Sequence, residues 1–145
     1  MVDLLLTQSS VGVLQNCKRK YKLRYIDNLE SVTKPTYLTL GSAFHRAIEV
    51  LRTGGSLGSM REAALSENKF DLGKDDFCVL SAMVTAYHSK YGHEAAYHEV
   101  EKEFRLDFGS FELAGVVDAV KKVPGGFYIY ETKTCSRING AYLEG

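Results

Sequence analysis

Asp118, Glu131 and Lys133 are the residues of this 145-residue chain whose types and spacing invite chemistry. Glu131 and Lys133 stand two apart in Tyr130-Glu131-Thr132-Lys133-Thr134, so on a strand their side chains leave the same face. Asp118 closes Gly115-Val116-Val117-Asp118, and a turn at Pro124-Gly125-Gly126 can bring its strand beside Glu131. Two adjacent carboxylates repel unless a cation sits between them, and hard oxygen donors suit Mg²⁺ or Mn²⁺. A lysine two residues beyond a ligand can hold or deprotonate a water that the ion polarises. It can also offset charge developing on a phosphoryl oxygen. The E-x-K pair alone also describes an ordinary solvated ion pair, so its surroundings decide.

The elements that must position these residues follow from hydrophobic period. Leu14, Cys17, Tyr21 and Tyr25 recur at helical spacing and predict one helix over 7–25, with Thr7, Ser9 or Ser10 as its cap. A second helix is expected from near Gly41, burying Phe44, Ile48 and Leu51 and stopping at Gly54-Gly55. A short helix fits 60–67, and a long one fits 74–91 through Phe77, Leu80, Val84, Tyr87 and Tyr91. The period then changes to two, predicting strands over 99–108, 111–121 and 127–134 joined by tight turns. Helices first and then an antiparallel meander is an α+β pattern: N-terminal helices over a small mixed sheet, in one domain spanning 1–145.

Four elements, in order, resemble the PD-(D/E)XK nuclease superfamily and its RecB-type exonuclease branch. Cys17-Lys18-Arg19-Lys20-Tyr21 with Tyr25 resembles the branch's C-P-R-K-Y…Y helix, with Lys18 where the proline stands. Gly41-Ser42-Ala43-Phe44-His45 resembles G-x-x-x-H, and Glu101-Lys102-Glu103-Phe104 resembles the E-x-x-F strand that precedes G-x-x-D. The fourth is Asp118 with Glu131-x-Lys133. The resemblance implies a restriction-endonuclease-like core that hydrolyses DNA. It makes His45, Asp118, Glu131 and the Thr132 carbonyl metal ligands and Lys133 the catalytic lysine. Glu101 is a weaker candidate, acting through water or on a second ion, because it shares a polar strand face with Glu99, Glu103 and Asp107. On the residues alone, His45 flanks the apolar stripe of its helix, where an imidazole can lean toward the sheet. Imidazole is acceptable to Mn²⁺ and less natural for Mg²⁺.

The branch also carries a Q-x-x-x-Y helix after E-x-K. Only Ala141-Tyr142-Leu143-Glu144 could be its first turn here, so the chain is expected to be a shortened form. Phe127 and Ile129 should then lie partly uncovered, which favours a homo-oligomer. An iron–sulfur cluster, as in relatives among the CRISPR adaptation nucleases and helicase-nucleases, needs three more cysteines beyond that helix. Cys78 and Cys135 are wrongly placed for this, so no cluster is expected and Cys17 should pack on its helix face. His88, His93 and His98 with Glu94 and Glu99 match no metal template.

Bulk properties constrain the partners. Eighteen basic and eighteen acidic residues cancel, so net charge neither selects nor excludes nucleic acid. The basic run Lys18, Arg19, Lys20, Lys22 and Arg24 is interleaved with Tyr21 and Tyr25 and opens the family's DNA-facing helix. Arg19, Lys20 and Tyr21 are therefore the expected DNA contacts. Three scattered cysteines, no leader and no apolar run near 20 residues point to a cytoplasmic protein without membrane contact. The rival reading is a catalytically inactive module of the same fold that grips DNA or a protein partner.

Overall fold

The computed structural model of the chain describes residues 4–30, 35–66, 72–94 and 96–135. Thr7 opens the first helix, α1 (Gln8–Asn16), through a reciprocal capping box. Ser10 N–H donates to the Thr7 hydroxyl at 3.1 Å, and Thr7 N–H donates to the Ser10 hydroxyl at 2.8 Å. The single helix expected over 7–25 is broken at Cys17, whose extended backbone ends α1 and starts α2 (Lys18–Tyr21), followed by a π-helical turn at Lys22–Ile26. Lys20 N–H donates to Cys17 Sγ at 3.4 Å, so this exposed thiol caps a helix instead of packing on one. Tyr21 and Tyr25 still meet, with ring centroids 5.2 Å apart.

Helix α3 (Thr36–Arg52) starts a full turn before the expected Gly41, because Pro35 provides a pre-set entry and its carbonyl accepts from Leu38 and Thr39 N–H. After α4 (Leu57–Ser66), α5 (Lys74–Tyr91) keeps its predicted bounds. These three helices bury their apolar faces on one another. Ala43, Phe44, Ala47 and Ile48 of α3 pack with Met60 and Ala64 of α4 and Leu80 and Val84 of α5. Full burial of an aliphatic side chain stabilises by roughly 1.5–3 kcal/mol, so this cluster is the main source of stability. Four members of the predicted stripes stand outside it: Leu51 and Tyr87 are partly buried against the cluster, Tyr91 is half-buried beyond it, and Phe77 is 45% exposed.

The sheet holds the predicted meander of β2 (Glu99–Asp107), β3 (Phe111–Val123) and β4 (Gly126–Tyr130). A short strand, β1 (Leu4–Leu6), adds in parallel to β3 and makes the sheet mixed; three residues are too few for a period to reveal. β3 is central. β2 lines one edge, while β1 and β4 share the other, leaving residues 114–118 of that edge between them. The third predicted strand over 127–134 is too long, because pairing stops at Tyr130 and Glu131-Thr132-Lys133-Thr134 leave the ladder. Phe127 and Ile129 are 59% and 69% exposed, as expected. The anticipated helical turn at Ala141-Tyr142-Leu143-Glu144 lies outside the described residues. Among those described, no helix is long and apolar enough to cross a membrane.

Candidate active site

Strand register assembles the acidic residues. Val100 faces Ala119 and Lys102 faces Val117, which sets Glu101 opposite Asp118. Ala119 faces Tyr130, which sets Glu131 opposite Asp118 just where the ladder ends. Register therefore sets these three acidic positions side by side across β2, β3 and the end of β4. The same register pairs Phe104 with Gly115, where a Cβ would come within 2.7 Å of the phenyl ring. E-x-x-F and G-x-x-D are thus two halves of one cross-strand arrangement. Glu101 is held in the left-handed region at φ 50°, which costs a non-glycine residue roughly 1–3 kcal/mol and is typical of functional positions.

Helix α3 lies over this row. His45, Glu49 and Arg52, at i, i+4 and i+7, lie along one helix face. His45 Nδ1 is 3.6 Å from Asp118 Oδ2. Gly41, one turn earlier, lets the helix approach Thr134: a Cβ there would sit 3.0 Å from the threonine hydroxyl. A cleft of about 630 Å³ opens between helix and sheet, lined by Gly41, Ser42, His45, Glu49, Glu101 and Asp118 among others.

Side chains, not the ladder, hold the E-x-K segment, and Glu131, Thr132 and Lys133 do not themselves line the cleft. Thr132 N–H donates to Asp118 Oδ2 at 2.6 Å, and Asp118 N–H reaches Glu131 Oε2 at 3.5 Å. Lys133 Nζ donates to Glu131 Oε1 at 3.1 Å, so the two side chains meet although the segment is no longer a strand. Arg52 donates from Nη2 to Thr132 Oγ1 at 2.7 Å, and its Nη1 is 3.9 Å from Asp118 Oδ2.

Negative charge is crowded around Glu101. The Glu101 carboxyl is held above the usual carboxylate range, first by partial burial and then by the negative charges of Asp118 and Glu49, against the opposing pull of His45 and Arg52. A divalent cation would relieve that crowding, and carboxylate oxygens with one imidazole are a donor set such an ion accepts. Among the described residues, however, no three His, Cys, Asp or Glu side chains are gathered closely enough to grip an ion as they stand. Glu131 rests on the Asp118 amide and on Lys133 instead.

The other predicted residues are placed apart. Arg19 and Lys20 are exposed and Tyr21 is half-buried on α2, and none of the three lines the cleft. The histidine group is not a site: Glu94 pairs with Lys121, Glu99 pairs with Lys102, and the His98 ring lies against Phe127. Sequence reasoning missed Glu49 and Arg52, although their spacing of four and seven from His45 was a usable signal.

The fold is a helical layer over a mixed sheet, with Glu101, Asp118 and Glu131 at neighbouring register positions, His45 near Asp118, and Lys133 two residues past Glu131. The chain belongs to the PD-(D/E)XK nuclease superfamily, whose sequence profile matches residues 5–141. Members of this superfamily generally use divalent metals such as Mg²⁺ or Mn²⁺. No match is found among curated proteins or among solved structures.

Proposed function

We propose that this chain hydrolyses phosphodiester bonds of DNA as a RecB-like exonuclease, with Mn²⁺ or Mg²⁺ held by His45, Asp118, Glu131 and the Thr132 carbonyl. The observation that carries this reading is the Glu101–Asp118–Glu131 row beneath His45, inside the span matched by the family. When bound, the ion supplies Lewis acidity toward a phosphoryl oxygen and a more acidic water. Asp118 orients the segment that follows Tyr130 through its bond to Thr132 N–H. Lys133 Nζ, beside Glu131, holds the attacking water or offsets charge on the scissile phosphate. Glu101 assists through water or a second ion, and Arg19, Lys20 and Tyr21 contact the DNA away from the cleft. The domain acts in the cytoplasm, in keeping with three exposed free cysteines. It self-associates through the apolar sheet face at Phe127 and Ile129.

One observation favours the rival reading, an inactive module that grips DNA or a protein: the Lys133–Glu131 ion pair occupies both groups. Calorimetry with Mn²⁺ and degradation of end-labelled single- and double-stranded DNA separate the two. The wild type should bind Mn²⁺, gain melting temperature by mass action and cleave, and Asp118→Ala should lose all three. No heat at millimolar Mn²⁺ together with intact DNA would replace the nuclease with the binding module.

A further inference from the structure

We propose that Arg52 is a positioning residue, a latch that fastens the helix carrying His45 to the segment carrying Glu131 and Lys133. The consequence for a metal site rests on the function proposed above; the latch itself stands on geometry. Arg52 is 4% exposed, a burial that arginine rarely tolerates without partners. Its Nη2 donates to Thr132 Oγ1 at 2.7 Å and its Nη1 lies 3.9 Å from Asp118 Oδ2, while Nε is buried with no partner. The guanidinium therefore directs its contacts to the strand end, not to its own helix. Because β4 stops pairing at Tyr130, the ladder does not hold Glu131 and Thr132; Asp118 and Arg52 do.

The socket around Arg52 is built as well. The Tyr97 ring lies 5.5 Å from the guanidinium carbon, and Tyr97 N–H donates to the Arg52 carbonyl at 2.9 Å. The Tyr97 hydroxyl in turn donates to Glu94 at 3.1 Å. A planar fork can address a hydroxyl and a carboxylate at once, whereas a lysine ammonium is a point charge that cannot keep both directions. Arg52 also offsets negative charge at Asp118.

The test uses the full chain, with Arg52→Lys, Thr132→Val and the double variant. In metal-free protein, amide exchange at Thr132 should accelerate in both single variants while Leu80 and Val84 in α5 keep their protection. Mn²⁺ affinity, read by calorimetry, should fall about 10- to 100-fold in each single variant, as for the loss of an orienting partner behind a ligand. The double variant should be no weaker than the weaker single one, because both substitutions cut the same bond. Unchanged exchange at Thr132, acceleration spread equally into α5, or additive losses would overturn the latch. If Arg52→Lys does not fold, Thr132→Val decides alone, since it leaves the buried cation in place. If the wild type takes no Mn²⁺ and leaves DNA intact, the nuclease reading falls, and exchange at Thr132 alone confirms or refutes the latch.

Discussion

The two faces of α3 divide the molecule's work. One face buries Ala43, Phe44, Ala47 and Ile48 in a dry cluster with α4 and α5. The other sets His45, Glu49 and Arg52 above a sheet where, among the described residues, Ala119 is the only buried apolar strand residue. The helical layer is stabilised by excluding water. The sheet instead exposes Phe127, Tyr128 and Ile129 on its surface and crowds carboxylates in its cleft. Rigid support and reactive groups therefore share one helix, and a shift of α3 reaches the site directly. The arrangement shows how a small chain can tolerate a strained, repulsive site: the stability comes from elsewhere.

Substitutions on each side should differ in kind. Ile48→Ala should cost about 2–5 kcal/mol of folding stability, read by urea denaturation, because it opens a hole in a fully buried cluster. A loss well under 1 kcal/mol would remove the helical layer from its assigned role. On the other side, Lys133→Ala should slow DNA cleavage by roughly 100-fold or more while leaving the melting temperature and Mn²⁺ affinity nearly unchanged. Cleavage at the wild-type rate would break the assignment of chemistry to this strand end.

Two smaller effects sharpen the comparison. Reversing charge at Arg19 and Lys20 should flatten the salt dependence of DNA affinity by about 0.7–0.9 in log slope for each phosphate that is no longer neutralised. An unchanged slope would return α2 to an ordinary solvated face. Glu94 supplies the smallest effect. Hydrogen bonding from Lys121 holds its carboxyl below the usual value of 4.5, with Tyr97 adding to the effect against partial burial. A carboxylate held low contributes stability above its unfolded value, lost as pH falls through the folded one. Glu94→Gln should thus lower the melting temperature slightly at pH 7, and the gap to wild type should close below pH 4.5. A gap of equal size at a pH well below that value would mean that the pair contributes through packing.

Much of the site was legible because strand alternation and turn chemistry are local. Asp118 falls beside the end of β4 as the turn at Pro124-Gly125-Gly126 implies, and the α5 boundaries follow from a stripe closed by Gly92, whereas the strand expected to carry Glu131 and Lys133 on one face ends at Tyr130. Features set by tertiary contact were not legible. β1 forms only because β3 offers it an edge, and α1 breaks where the Cys17 thiol takes up a backbone donor. The start of α3 was signalled by Pro35, which a search for apolar spacing passes over. Arg52 reads in sequence as a cation suited to a helix C-terminus, and only the fold gives it Thr132 as a partner. The strained backbone of Glu101 leaves no local trace at all.

The bond from Arg52 to Thr132 joins residues 80 positions apart, whereas α3, α4 and α5 follow one another along the chain and pack on their near neighbours. Contacts close in sequence form early, and those that close long loops form late. The order of folding is therefore expected to separate the two layers in time: the helical layer consolidates first, and the end of the sheet that carries Asp118 and Thr132 docks onto a surface already made. A chain emerging from its N-terminus would hold its stable half together first, and would complete the candidate site only when the segment around Thr132 reaches Arg52.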